Sequence, residues 1–237
     1  MRGSYLSDEC ILDEEKDIIT LKGEECDHLI VTRLREGDDL LVLDGQGNIF
    51  QTKVVGIQKK KWVSTKIIKK VFSPRLNKIT IGLGFPKREA FERAIQIGQE
   101  FSIESIIPFE CEFSQFKSFK EDRLKKILIG ALKQSNSPYL CHLKAMQKFE
   151  TIPWEQFDRV IYLYLYAQKE DFQEELDLGK EKIMLLVGPE GGFSPDELAL
   201  IDKIENLSRL KICDTILRVE TCVASALGYL HYWYGRK

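Results

Sequence analysis

The 237-residue chain holds little that would commit it to metal, disulfide or membrane chemistry. Its three histidines, His28, His142 and His231, are far apart. None of its six cysteines (Cys10, Cys26, Cys111, Cys141, Cys213, Cys222) stands in a CxxC pair. No zinc-ligand spacing is present, so no metal is expected. Unpaired, scattered thiols fit reduced, mostly buried positions in a cytoplasmic protein. No apolar run reaches the length of a membrane span, and the N-terminus has no signal-peptide layout, so no membrane partner is expected. Charge of one sign is also lacking: 35 Lys+Arg face 37 Asp+Glu, a formal net charge of −2. Such a balance does not advertise a nucleic-acid binder, although a basic face can hide in a neutral total. Neither a GK[ST] after glycines nor a G-x-G-x-x-G occurs, which excludes a Walker loop and a dinucleotide fingerprint. A nucleotide hydrolase is disfavoured accordingly.

What is present is concentrated in Ile183–Leu198, IMLLVGPEGGFSPDEL. Ile183–Val187 has the unbroken apolar character of a strand buried on both faces of a parallel sheet. Gly188-Pro189-Glu190-Gly191-Gly192 follows, with three glycines in five residues. That composition suits positive φ or a close backbone approach. Ser194 then fits a helix N-cap, Pro195 the first helical position, and Glu197 the reciprocal residue of a capping box. Strand, glycine loop and helix is the arrangement that places ligands at the carboxyl ends of strands in open α/β sheets. A tight turn with no ligand is the plainer alternative. Pro189 removes a donor and Glu190 repels phosphate, so a ligand here is expected to be neutral or cationic.

Residues 1–72 read as an all-β segment, with strands at Ile18–Leu21, Asp39–Leu43, Ile49–Val55 and Trp62–Ile68. Asp44–Asn48 (DGQGN) is a hairpin-like turn. Glu24–Arg35 predicts a short helix whose face mixes Leu29, Ile30 and Leu34 with Arg33. A small β-barrel of this kind either binds RNA or simply packs on its neighbour. Ser73-Pro74-Arg75 marks a linker.

From there strands and helices alternate, as in a parallel α/β sheet. Strands are expected at Lys78–Leu83, Ser105–Pro108, Arg159–Tyr166, Ile183–Val187 and Leu210–Cys213. Helices are expected at Glu89–Phe101, Arg123–Lys133, Pro195–Ile204 and Thr221–Tyr234. A second dense stretch, Asp214–Thr221 (DTILRVET), lies between the last strand and last helix. Arg218 and Glu220 there are candidates for a charged substrate, against the alternative of an incidental surface ion pair. Lys87 and Arg88 open a helix, where positive charge is unfavourable, so they point weakly to phosphate contact. Lys117 belongs to a loose basic segment with Lys120, Arg123, Lys125 and Lys126; a solvated charge cluster is the simpler explanation of both groups.

Taken together, Leu185–Leu198 (LLVGPEGGFSPDEL) and Ile216–Thr221 (ILRVET) resemble the two motifs of the RsmE family of small-subunit ribosomal RNA uridine N3-methyltransferases. The order of parts is similar across nearly the whole chain, including His28–Arg35 and the DGxG turn at Asp44–Gly47. The resemblance implies a PUA-like, RNA-binding barrel at 1–72. It implies a SPOUT-type α/β methyltransferase domain at 73–237 with a C-terminal deep trefoil knot. It further implies a homodimer, S-adenosylmethionine as cofactor, and methylation of a uridine at N3 in 16S ribosomal RNA or the small ribosomal subunit. By position, the cofactor would meet Leu165, Val187, Gly188, Pro189, Glu190, Gly191, Gly192, Ile212, Cys213, Asp214, Ile216 and Leu217. Loss of the uracil imide proton requires a base or a stabiliser of the anionic ring. Arg218, Glu220 and Glu190 are the residues expected to serve, with Arg33, Arg35, Lys87, Arg88 and Lys117 on RNA. The chain departs from the family pattern in several places. Val219 replaces a threonine, Ser102 stands at a Glu-Leu-Gly helix end, Glu112-Phe113-Ser114 replaces an Arg-Ser segment, and Lys133–Ser137 replaces Glu-Gln-x-x-Arg. Such changes keep open a catalytically impaired RNA-binding or ribosome-assembly protein of the same fold.

Overall fold

The computed structural model describes residues 2–115, 118–168, 172 and 177–234. The chain divides into two compact units: Met1–Arg75 with Ile129–Leu140, and Leu76–Leu128 with Cys141–Lys237. The boundary after the first strands falls at Arg75, in the expected linker, but 129–140 returns to the first unit, which no sequence signal indicated.

The first unit contains β1 (Arg2–Tyr5), β2 (Ile11–Asp13), β3 (Ile18–Leu21), α1 (Gly23–Val31), β4 (Asp39–Leu43), β5 (Asn48–Gln58) and β6 (Trp62–Phe72). They form one sheet in the order β1-β4-β5-β6-β3-β2. Only β1 pairs parallel, against β4; the rest is antiparallel. Where a barrel was expected, the ladder among the described residues is a path with two ends. Register shifts at Gln51/Thr52 and Val54/Gly56 bend its two longest strands. Phe50, Thr52 and Val54 alternate inward with Gln51, Lys53 and Val55 outward, the two-residue period of a half-buried strand. Cys26 and Leu29 of α1 close the core over Ile19, Leu21, Leu40, Val42 and Val63. The helix stops short of the expected Arg35. Thr32 Oγ1 donates to Leu29 O at 2.7 Å, and Arg33 turns to φ 58°.

The DGQGN turn is fixed by Asp44, whose carboxylate accepts from Gln46 N (2.7 Å), Asn48 N (3.0 Å) and Asn48 Nδ2 (2.6 Å). Gly45 and Gly47 take φ of 72° and 107°, open to glycine without strain. Onto this turn docks the returning segment. Gly47 N donates to Pro138 O (2.9 Å), Leu140 N to Gly45 O (2.9 Å), and Tyr139 Oη to Ser73 O (2.8 Å). Lys133 reaches Glu25 at 2.8 Å, with side chains only 15 % and 6 % exposed. The same carboxylate accepts from Ser4 Oγ (2.8 Å) and Tyr5 N (3.1 Å).

The second unit is built on a seven-stranded, wholly parallel sheet. Its strands are β7 (Lys78–Gly84), β8 (Ser105–Glu110), β9 (His142–Leu143), β10 (Gln147–Lys148), β11 (Arg159–Leu163), β12 (Lys182–Val187) and β13 (Leu207–Leu210). The order is β10-β8-β7-β12-β11-β13, with β9 also on β8. Helices α2 (Arg88–Glu100), α4 (Pro195–Ile201) and α5 (Val219–Tyr234) belong to this unit, and α3 (Glu121–Ser135) begins in it. α2 buries Phe91, Ala94, Ile95 and Gly98 and packs against α5, which buries Val223, Ala226, Leu227 and Leu230. The last strand lies three residues earlier than expected. Leu207–Leu210 pairs with Val160–Leu163, so Lys211–Leu217 is loop.

At α4 the expected cap is present. Ser194 Oγ accepts from Glu197 N (3.3 Å), and Glu197 Oε2 accepts from Ser194 N (2.8 Å). The other oxygen of Glu197 accepts from Glu112 N at 2.8 Å, tying the loop after β8 to the same buried carboxylate.

Two stability predictions arise. Lys133→Met strands the Glu25 carboxylate and should cost about 3 kcal/mol in urea unfolding, largely recovered by adding Glu25→Gln. Ser102 holds φ 54° at the end of α2. Ser102→Gly relieves that left-handed strain, less the entropy of glycine, and should raise stability by about 0.5–1 kcal/mol in the same assay.

Candidate functional site

Parallel pairing aligns the carboxyl ends of β11, β12 and β13, and the segments that leave them meet around one cavity of about 240 Å³. Leu163, Tyr164 and Leu165 come from the first segment, Val187–Glu190, Gly192 and Phe193 from the second, and Ile212, Cys213 and Thr215–Leu217 from the third. Val219 and Cys222, one turn apart on α5, complete the wall. The walls are predominantly apolar, and Glu190 brings the one carboxylate among the lining residues.

The glycine loop owes its composition to its own packing. Gly192 N donates to Pro189 O at 2.9 Å, closing a four-residue turn, with Gly192 at φ 73°. A Cβ at Gly191 would stand 2.8 Å from the Cβ of Phe113. The Glu190 carboxylate accepts two bonds from Lys87 N, at 3.1 and 3.2 Å. A negative group thus sits at the N-terminus of α2, offsetting the cost of Lys87 and Arg88 there.

In the third loop Cys213 Sγ donates to Thr215 O at 3.3 Å. Lys211 pairs with Asp214 at 2.7 Å, and this hydrogen bond lowers the Asp214 pKa. Asp214 and Gly191 are not among the lining residues, whereas Leu165, Val187, Gly188, Pro189, Glu190, Gly192, Ile212, Cys213, Ile216 and Leu217 are. Arg218 is exposed between Leu217 and Val219, and its carbonyl accepts from Cys222 N (2.8 Å). Its guanidinium makes no ion pair with any described residue. Glu220, in the first turn of α5, carries a buried Oε2 with no hydrogen-bond partner among the described residues.

Burial sets the protonation of two wall groups. It pushes the Cys222 thiol up to about 11 and the Tyr162 phenol up to about 12. Both therefore keep their protons at neutral pH, and Cys222 offers no thiolate nucleophile there.

The basic candidates lie apart from this cavity in the chain. Arg33 and Arg35 are exposed after α1 in the first unit; Arg35 N donates to Asp38 Oδ2 at 2.9 Å. Lys87 and Arg88 are exposed at the start of α2 in the second. Lys117 lies outside the described residues. The segments expected around the cofactor, the end of the strand at Tyr162–Leu165 and Ile212–Leu217, include Tyr162, Leu163, Tyr164 and Thr215, whereas Phe193, Leu210, Val219 and Cys222 carry no such expectation as cavity walls. The three-residue spacing of Val219 and Cys222 on a helix that opens at ILRVET was the available signal.

Comparison with known proteins shows the family. The chain matches the model of the RNA methyltransferase domain over residues 73–231 and that of the RNA methyltransferase PUA domain over 21–65. It is 28% identical to the ribosomal RNA small subunit methyltransferase E of Rickettsia conorii, over 90% of this chain and 89% of that protein. The protein of the same name from Aquifex aeolicus is 23% identical over 90% and 94%. Among solved structures, the Neisseria gonorrhoeae ribosomal RNA small subunit methyltransferase E bound to S-adenosyl methionine superposes with a TM-score of 0.82, at 19% identity, over 98% of this chain and 97% of that one. A Legionella pneumophila methyltransferase in complex with the same cofactor gives 0.81 at 23% identity, over 98% and 97%. With more than half its length matched by the first model, the chain belongs to the RNA methyltransferase family and joins a PUA-like domain to an α/β methyltransferase fold.

Proposed function

We propose that this chain transfers the methyl group of S-adenosylmethionine to N3 of a uridine in small-subunit (16S) ribosomal RNA. The observation that carries the reading is the convergence of the three loops after β11, β12 and β13 on one apolar cavity with a single carboxylate at its wall. Apolar walls from Leu163, Leu165, Val187, Ile212 and Leu217 suit a flat adenine ring, and the sign of Glu190 suits a cation. The names of the Rickettsia and Aquifex relatives, and the cofactor in the Neisseria and Legionella structures, point the same way.

S-adenosylmethionine supplies an electrophilic methyl group on a sulfonium centre. The protein must hold the uracil against it and accommodate the charge left as the imide proton departs. Cys222 and Tyr162 are protonated, so neither is poised as a base; Glu190 holds Lys87 N and keeps further acceptor capacity on its carboxylate. Arg218, with no ion pair among the described residues, is assigned to the developing negative charge on the uracil oxygens or to an adjoining phosphate. Glu220, whose buried Oε2 has no hydrogen-bond partner among the described residues, lies at the same helix start and is assigned to fixing Arg218 or taking the proton. Arg33, Arg35, Lys87, Arg88 and Lys117 are assigned to the RNA backbone, and the first unit to RNA binding. A homodimer and a C-terminal knot belong to the same reading. Supporting the knot, β13 follows β12 in the chain yet lies beyond β11, so the connection must cross that strand.

Calorimetric titration with S-adenosylmethionine should give saturable binding, abolished by Thr215→Trp, which fills the cavity mouth from an exposed position. Absence of binding by the unaltered chain would leave an RNA-binding protein without activity. Arg218→Ala should lower methyl transfer to small ribosomal subunits by about 100-fold or more with cofactor affinity unchanged. Full activity in that variant would remove Arg218 from the site.

A further inference from the structure

Phe113 is an apolar ring in a place where folding alone gives little reason to hold one. It lies in the loop after β8, whose residues on either side of it are tied down by hydrogen bonds. Cys111 N donates to Ser114 Oγ (3.0 Å), Ser114 N to Cys111 O (3.1 Å), Glu112 N to Glu197 Oε1 (2.8 Å), and Gln115 N to Phe85 O (2.8 Å). Yet the residue at the centre of this rigid loop is 39 % exposed and makes no aromatic contact with any described residue. Tyr166 is more exposed, at 70 %, but Tyr164 packs edge-on against it at 5.7 Å.

The position of Phe113 is equally specific. Its Cβ sits over Gly191, where a methyl group would approach it to 2.8 Å. Gly191 lies between Glu190 and Gly192, both of which line the cavity. The bare glycine therefore seats an aromatic side chain directly on the loop that walls the cavity. A pyrimidine presented to that cavity has been unstacked from its neighbours and needs a replacement π surface. Exposed aromatic rings on fixed backbone supply such surfaces, without sequence preference, wherever proteins hold single-stranded nucleic acid.

The geometry points to Phe113 as the stacking platform that holds the target pyrimidine, or the base beside it, at the cavity rim. The assignment rests on the RNA methyltransferase reading above and adds a residue that contacts the substrate base. Its mode of recognition is stacking rather than charge, so the contribution should be nearly insensitive to salt, unlike that of the lysines and arginines.

The test uses the full chain with purified small ribosomal subunits and, separately, a uridine-containing single-stranded RNA. Phe113→Ala should lower kcat/KM for subunits by about ten-fold or more, the range of one lost base–aromatic stack. S-adenosylmethionine affinity should be unchanged, and Phe113→Trp should restore turnover. The Phe113→Trp variant also gives a readout independent of activity: its added indole emission, relative to the unaltered chain, should be quenched on RNA binding. Unchanged kinetics in Phe113→Ala, an equal loss of cofactor affinity, or an unquenched indole in an RNA-bound complex would each overturn the proposal. If the unaltered chain transfers no methyl group, the catalytic reading fails, and quenching still decides whether Phe113 stacks on RNA.

Discussion

The structure of the second unit hangs on the parallel pairing of one buried strand. β12 is apolar from Ile183 to Val187 and enclosed on both sides, by β7 and β11, so all its peptide groups must be satisfied within the sheet. Once that pairing is set, the ends of β11, β12 and β13 fall in line and the three loops have one place to go. The cavity is a consequence of register rather than a separate construction. Its walls inherit the apolar character of the strands that feed it, and its polarity is left to a few residues at the rim.

Several carboxylates in this protein hold backbone. Glu197 serves Ser194 N and Glu112 N, Glu190 serves Lys87 N, Asp44 holds its turn, and Glu25 collects a hydroxyl, an amide and an ammonium. Charge-assisted bonds of this kind are strong and directional, and they lock loops that glycine would otherwise leave loose. In the second unit such bonds hold the loops that carry Glu112 and Glu190, and beside them Arg218, with no ion pair among the described residues, and the buried oxygen of Glu220, with no hydrogen-bond partner among them, stand out by contrast.

Much of this was legible in the sequence wherever local chemistry decides structure. The strand at Ile183–Val187, the Ser194-Pro195-Glu197 cap and the Asp44–Asn48 turn each carry their own instructions, and all three formed as read. Elements defined only by a distant partner were not legible. β9 and β10 are two residues each and exist because β8 offers an edge. β13 lacks β-branched residues, so the apolar Leu210–Cys213 looked the better strand until pairing with β11 fixed the register at Leu207–Leu210. That Lys87 N, far away in sequence, also bonds the Glu190 carboxylate has no local signal. Cys222 was passed over because a buried thiol has no signature until the wall it belongs to is assembled.

The return of Ile129–Leu140 to the first unit bears on how the protein comes off the ribosome. The sheet of β1 to β6 leaves the exit tunnel early, but Lys133, Pro138 and Tyr139, which close it around Glu25 and the Asp44 turn, emerge only after β7, α2 and β8. The N-terminal unit therefore cannot finish folding before half of the polypeptide has been made. Until then the Glu25 carboxylate has no ammonium beside it. A nascent chain stalled short of residue 133 would present that unmatched charge to the chaperones that wait at the tunnel mouth.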